Sequence, residues 1–539
     1  MRSPLSAACP VLSTASSFGQ GKTSMQRRYD AAIGATTDSR SVATPAVVDT
    51  ADEPKATSEA SLMRLLWSRA ILGGMRGSIR SSRQERAGRE RRLYAPPALL
   101  VDLYELTMAE SYVREALADL PATFQLFCRR LPEGWGYLVA AGLDDALGYL
   151  ERLRFHTDEL DYLVSTGLFS ERLLERLSDL RFTGDVCAMP EGTLFFAGEP
   201  VLEVTAPLLE AQLVETIVLN QIHVQSLLAS KAARCVDAAD GRRLVDFSLR
   251  RTHGGEAGLK AARASYLAGF DATSNVLAGR LFGIPLAGTM AHSYVECFQD
   301  EVEAFTAFTR AYPQGSTLLI DTYDTVEGAQ RAANVARAVA SQGGRVAGVR
   351  LDSGDFLKLS VLVRQVLDQE GLGEVAIFCE REPRRKRDRE VLAQGAPIDG
   401  FGIGSKLGVS ADAPYLDMAY KLAVFDGRPV LKLSAGKATL PGAKQVWRRH
   451  RAGRFAHDLI TLADEGASGR EEPLLRPVMT HGERASLDSL EAARARVARQ
   501  RAMLAPHHLL VDARPYVVRV SPRLLALDDD LRGRLAPAR

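Results

Sequence analysis

The sequence predicts an α/β protein, an irregular α/β barrel joined to a smaller α+β domain, and three observations carry that prediction. Short apolar strand-like runs recur after residue 212: RLVDF (243–247), PLAGT (285–289), STLLIDTY (316–323), RVAGVRLDSGD (345–355), EVAIF (374–378) and IDGFGIGS (398–405). Helical runs such as VEGAQRAANVARAVASQ (326–342) separate them, with alanine and valine on one face, and strand-helix-strand alternation argues for a parallel sheet, closed or doubly wound. Polar residues follow the strands repeatedly: Ser248 and Arg250, Thr289 and His292, Asp321, Arg350 and Asp352, Gly404 and Ser405. In a barrel such strand ends share one rim, where chemistry is usually placed.

The elements divide the chain into four stretches. Residues 1–92 are rich in Ser, Ala, Thr and Arg, lack apolar periodicity and close in RGSIRSSRQERAGRERR; they read as a disordered or non-native extension, with Met63 and Met75 as alternative starts. Residues 93–212 form the smaller α+β domain. There LLVDLYELTMAESYVREA (99–116) reads as a helix, ATFQLFCRRLP (122–132) as a strand, residues 144–180 as helical, and GTLFFAGEPVLEVTAP (192–207) as a hairpin around Gly198-Glu199-Pro200. Residues 213–430 make the barrel, and 431–539 complete the smaller domain.

A chain of 539 residues, 46% of them hydrophobic, has ample material for large cores. A formal net charge of +2 gives no basic face, which argues against nucleic-acid and membrane partners and for small molecules. The six cysteines are scattered with no CxxC, as expected of a reduced, cytoplasmic enzyme. The apolar run LMRLLWSRAILGGM (62–75) is short and broken by Arg64 and Arg69, so no membrane span is predicted.

The segment from Phe247 to Val295 concentrates the chemistry. Arg250 and Arg251 suit an anionic substrate and Phe247 a flat aromatic ring; the alternative is a surface arginine pair beside a core phenylalanine. His292, three residues beyond Thr289, is either functional or a buried structural histidine. In GVRLDSGDF (348–356), the carboxylates of Asp352 and Asp355 suit ribose hydroxyls or Mg2+, and Arg350 suits a carboxylate or phosphate; a capped strand-to-helix turn is the plainer explanation. FGIGSKLGV (401–409) is a glycine-rich turn whose N–H groups and Ser405 hydroxyl suit an anion.

In order, LLVDLYELTM, GYLVAAGLDD, DFSLRR, GFDATSNVLAG, GTMAHS, VRLDSGD, GAPIDGFGIGS and KATLPGAKQVWR resemble the motifs of nicotinate phosphoribosyltransferases, over roughly residues 93–450. The resemblance implies a type II phosphoribosyltransferase-like fold, working as a cytoplasmic homodimer with shared active sites. It implies formation of nicotinate mononucleotide and pyrophosphate from nicotinate and phosphoribosyl pyrophosphate, with coupled ATP hydrolysis and Mg2+, in NAD salvage. His292 would be the residue phosphorylated by ATP, a role its ring nitrogen suits. Arg350 would pair with the nicotinate carboxylate, Thr289 would hydrogen-bond near it, Phe247 would stack on the pyridine, and Tyr104 would reach it from the neighbouring subunit. Arg250 would lie near the pyrophosphate or ring, Asp352 at the ribose hydroxyls, Ser353 and Gly354 beside it, and Gly404-Ser405 at the 5-phosphate. Ser274 stands where nicotinamide-using relatives would carry an aspartate, and serine tolerates a carboxylate ligand.

The chain departs from that pattern at CEREPRRKRDRE (379–390), where the family carries a small, partly acidic loop. The genetic code allows a choice of codons for this segment that, read one base later, gives ASGNLDESAI, so compensating frameshifts would account for it. The alternative functions are an impaired homologue that still binds phosphoribosyl ligands, or a nicotinamide- or quinolinate-using relative. Ser248 replaces a favoured glycine and is expected to crowd the ligand; Val101 replaces a favoured threonine.

Overall fold

The computed structural model describes residues 96–380, 392, 394–434, 439–466, 469, 471–509, 513 and 515–535. The expectations for residues 1–92 and for 381–390 fall outside the described residues.

Six strands build one parallel sheet: β1 (Arg243–Asp246), β2 (Ala272–Thr273), β3 (Gln314–Leu319), β4 (Arg345–Leu351), β5 (Ala376–Glu380) and β6 (Gly400–Ile403). Their order is β2-β1-β6-β5-β4-β3, with every neighbouring pair parallel. Strands covered on both faces must be apolar throughout, and Leu318, Leu319, Val349, Leu351, Ile377, Phe401 and Ile403 are buried. The helix Thr325–Ser341 covers the outer face with Ala329, Ala332, Ala333 and Ala336. Asp324 caps it, its carboxylate accepting from the N–H groups of Val326 and Glu327, an arrangement worth about 1 kcal/mol.

The concave face of the sheet sets glycine beside aromatic rings. A side chain at Gly402 would strike the Phe247 ring at 2.6 Å, and one at Gly400 would strike Phe378 at 2.5 Å. Only glycine leaves room for the rings. The open side, between edge strands β2 and β3, is spanned by Pro285–Met290. Here PLAGT is no full strand: it makes a single parallel bridge, Thr273 to Leu286, and then the Thr289 hydroxyl donates to the Thr317 carbonyl of β3 at 2.7 Å. The result is an irregular barrel, half sheet and half loop.

A seven-stranded antiparallel sheet lies elsewhere in the same unit, ordered Arg428–Pro429, Met418–Phe425, Pro121–Cys128, Pro200–Pro207, Asp185–Ala188, Arg476–Thr480, Glu483–Arg484. The predicted hairpin at 192–207 does not form. Its first arm, Leu194–Phe195, pairs with Leu138–Val139, whereas its second, Pro200–Pro207, joins the large sheet. The turn residues are right, but each arm finds a better partner far along the chain. The helix Glu215–Ala239 packs on strands Leu138–Val139 and Met418–Phe425 and on the helix Gly255–Ala268, so it links this region to the barrel. A four-stranded sheet (Glu472–Pro473, Lys444–Arg451, Arg454–Leu462, Val518–Val520) completes the described strands of the C-terminal part. No described helix is long and apolar enough to cross a membrane, and no disulfide joins the five described cysteines.

Candidate active site

Strands β1, β3, β4, β5 and β6 and the Pro285–Met290 segment surround a cavity of about 530 Å³ that runs from their amino ends, at Arg243, Gly315, Arg345, Glu374 and Asp399, to Phe247 and Arg350 near their carboxyl ends. Its lining includes Phe247, Thr289, Thr317, Arg350, Phe378 and Gly402. Phe247 lies against Gly402, which leaves its ring at the cavity wall. Arg350 is buried; its Nη2 donates to the Met290 carbonyl at 3.0 Å, its Nη1 pairs with the Glu380 carboxylate, and its Nε is buried without a hydrogen-bond partner.

At the rim His292 opens the short helix His292–Val295. Its Nδ1 lies 3.2 Å from the Thr322 hydroxyl, and its Nε2 lies 3.4 Å from Oδ2 of Asp352. Each ring nitrogen thus has a polar partner, which fixes the plane of the ring. Asp352 follows β4 directly, and its position is set by Asp321 after β3. One oxygen of Asp321 accepts from the N–H groups of Asp352 and Ser353 and from the Ser353 hydroxyl, each at 2.8 Å. The other oxygen is buried without a partner. Gly354 continues the turn with φ +90°, a left-handed conformation that favours glycine, and Asp355 caps the following helix, Phe356–Gln369, by accepting from the Lys358 N–H.

At the end of β1, Asp246 accepts from the Ser248 N–H at 3.0 Å, the Ser248 hydroxyl at 2.6 Å and the Thr273 hydroxyl at 2.8 Å. Burial raises its carboxyl above the ordinary carboxylate range, while those three donors pull it back. Ser248 is fully buried and its hydroxyl is turned to Asp246. The Arg251 guanidinium donates to the Ser405 hydroxyl at 3.0 Å, which ties the arginine pair to the Gly404-Ser405 turn. Arg250 is exposed and reaches Glu380 at 3.3 Å.

Comparison with known proteins decides the kinship. Sequence models described as the nicotinate phosphoribosyltransferase N-terminal domain and the nicotinate phosphoribosyltransferase family match residues 99–223 and 242–377. A nicotinate phosphoribosyltransferase of Mycobacterium tuberculosis is 51% identical over 387 residues, which cover 72% of this chain and 82% of that protein. The chain belongs to the nicotinate phosphoribosyltransferase family. The Bacillus subtilis nicotinate phosphoribosyltransferase is 39% identical over 398 residues, 71% of this chain and 80% of that one. The crystal structure of human nicotinic acid phosphoribosyltransferase superposes with a TM-score of 0.72 at 31% identity, over 80% of this chain and 99% of that chain. The match to the family model stops at residue 377, just before the divergent 379–390 segment.

Not every sequence-predicted residue of this nicotinate phosphoribosyltransferase homologue meets the cavity. Tyr104, on the helix Leu103–Arg114, is 47% exposed and lies near the Glu215 carboxylate. Burial and that carboxylate raise its hydroxyl above the ordinary tyrosine range. Ser274 stands at the end of β2, held by its N–H to the Asp246 carbonyl at 2.9 Å, and the next residue, Asn275, caps the helix Val276–Phe282. Sequence reasoning missed Thr322 and Glu380. Thr322 follows the flagged Asp321 by one residue, a signal that was present; Glu380 is announced only by the break in the family pattern.

Proposed function

We propose that the protein is a cytoplasmic, ATP-coupled nicotinate phosphoribosyltransferase, forming nicotinate mononucleotide and pyrophosphate from nicotinate and phosphoribosyl pyrophosphate in NAD salvage. One observation carries the mechanism: His292, held between Thr322 and Asp352, stands at the rim of a cavity that contains a buried guanidinium and an aromatic wall. The His292 ring nitrogen attacks the γ-phosphorus of ATP; an N–P bond forms as the bond to ADP breaks. Asp352 offsets the positive charge that the ring gains. In the transfer step the pyridine nitrogen attacks C1 of the ribose as the C1–O bond to pyrophosphate breaks, and positive charge develops at C1.

Phe247 holds the pyridine flat, Arg350 receives its carboxylate and Thr289 borders that position. Ser274 tolerates the carboxylate where an aspartate would repel it. Asp352, Ser353 and Gly354 border the ribose, Arg250 the pyrophosphate, and Gly404 with Ser405 the 5-phosphate. Tyr104 completes the base site from the other protomer of a homodimer.

Among the described residues no three His, Cys, Asp or Glu side chains gather into a metal cluster. Mg2+ that arrives with phosphates needs only one or two carboxylates, and Asp352 with Asp321, whose Oδ1 lacks a partner, fit that demand. When bound, Mg2+ supplies positive charge to the departing pyrophosphate.

The test is pyrophosphate release by purified protein supplied with nicotinate, phosphoribosyl pyrophosphate, Mg2+ and ATP. Release that needs nicotinate and rises with ATP supports the assignment; no release overturns it. A second reading, an impaired homologue that binds phosphoribosyl ligands, is favoured by the Glu380 carboxylate on Arg350 and predicts ligand binding without turnover.

A further inference from the structure

Glu380 ends β5 on the concave side, and both of its oxygens are engaged by arginines. One pairs with Nη1 of Arg350, and the other lies 3.3 Å from Nη2 of Arg250. The Glu380 and Arg350 side chains are 12% and 9% exposed, so this is a shielded pair. A guanidinium carries one positive charge and five N–H donors: in Arg350, one N–H of Nη2 goes to the Met290 carbonyl, one of Nη1 to the Glu380 carboxylate, and Nε is buried with no partner. An incoming carboxylate therefore meets an arginine already neutralised by a carboxylate of the chain itself. A neutral pyridine meets no such competition.

We propose that Glu380 is an internal competitor for the anionic base: it occupies Arg350 as a carboxylate ligand would, and so weakens the preference for nicotinate over uncharged pyridines. The proposal rests on the function assigned above. Binding of nicotinate requires Glu380 to swing out toward solvent, or the substrate carboxylate to lie beside a like charge. Either route lowers affinity for the acid selectively, because specificity is a difference between two affinities.

The discriminating experiment compares the full chain with its Glu380→Gln and Glu380→Ser variants. KM and kcat are measured for nicotinate, and nicotinamide serves as the uncharged control. Removal of the carboxylate is expected to lower the nicotinate KM by about tenfold or more, the scale of one lost competing contact. The nicotinamide KM should change far less, and nicotinate should raise Tm more in the variants than in the parent. A merely structural role for Glu380 would shift both bases together. Equal shifts, or an unchanged or higher nicotinate KM in folded variants, overturn the proposal and leave the assigned function standing. Absence of turnover with nicotinate in parent and variants alike, without a nicotinate effect on Tm, overturns both. Should the charge left on Arg350 prevent folding of Glu380→Gln, Glu380→Asp, which retracts the carboxylate by one methylene, must still lower the nicotinate KM in the same direction.

Discussion

Nε2 of His292 lies 3.4 Å from Oδ2 of Asp352, while the opposite ring nitrogen faces the Thr322 hydroxyl at 3.2 Å. The three residues come from different places: the loop after Pro285, and the ends of β3 and β4. Asp321 ties the strand ends together through the three hydrogen bonds it accepts from Asp352 and Ser353. A phosphoryl acceptor needs this kind of support, because a freely rotating imidazole rarely meets the γ-phosphorus in line.

His292→Ala should therefore abolish the stimulation of product formation by ATP while leaving some ATP-independent turnover. Asp352→Asn should lower the ATP-dependent rate by about 10²-fold or more, since it removes the charge that offsets the phosphorylated ring. ADP and nicotinate mononucleotide measured in the same reaction check this. Undiminished ADP formation by His292→Ala would remove the phosphohistidine role.

How much of this was legible in the sequence depends on distance along the chain. The rim was legible, because each strand carries its own polar residue just past its apolar run, as in RVAGVRLDSGD and FGIGS. The partner of His292 was not, since Thr322 meets it only after two segments 30 residues apart are brought together. The hairpin misreading at 192–207 has the same origin: a turn signal is local, but the choice of sheet is made by long-range partners. The motif KATLPGAKQVWR was legible as a family mark, yet its final residue, Arg448, is buried in the C-terminal part rather than lining the cavity. Composition cannot distinguish an arginine that binds substrate from one that holds a sheet together.

The aromatic wall gives a second prediction. Phe247 can lie flat only because position 402 has no Cβ; a methyl group there would sit 2.6 Å from two ring carbons. Gly402→Ala should push the ring into the cavity and raise the KM for nicotinate by about tenfold, with a stability loss of about 1–3 kcal/mol for overpacking. Steady-state kinetics alongside urea unfolding separates the two effects. An unchanged KM would mean that the ring does not border the base.

Arg448 provides a purely structural test. Its guanidinium is fully buried and donates to Asp458 at 3.0 and 2.5 Å, to the Leu194 carbonyl at 2.8 Å and to the Gln500 amide oxygen at 3.3 Å. Asp458 also accepts from the Tyr516 hydroxyl at 3.0 Å. Loss of one partner strands the other charge, so Arg448→Met should destabilise the fold by about 3–5 kcal/mol. Arg448→Met with Asp458→Leu should recover part of that loss, because the stranded carboxylate is gone. Urea midpoints of the three proteins provide the comparison; a double variant no more stable than Arg448→Met would contradict the argument.

Glu105 gives the pH prediction. It is fully buried, accepts from the Thr216 N–H at 3.1 Å, and burial, with the carboxylates of Glu215 and Asp102 adding to it, lifts its carboxyl from 4.5 to about 7. The folded state therefore keeps a proton that the unfolded chain has already released. With the folded value above the unfolded one, its contribution is fully present below about pH 4.5 and is lost as pH rises through about 7. Glu105→Gln supplies the neutral form at every pH and retains an acceptor for the Thr216 N–H. The difference in Tm between variant and parent should thus widen in the variant's favour from pH 5 to pH 8. A difference that stays flat over that range would show that Glu105 is charged throughout.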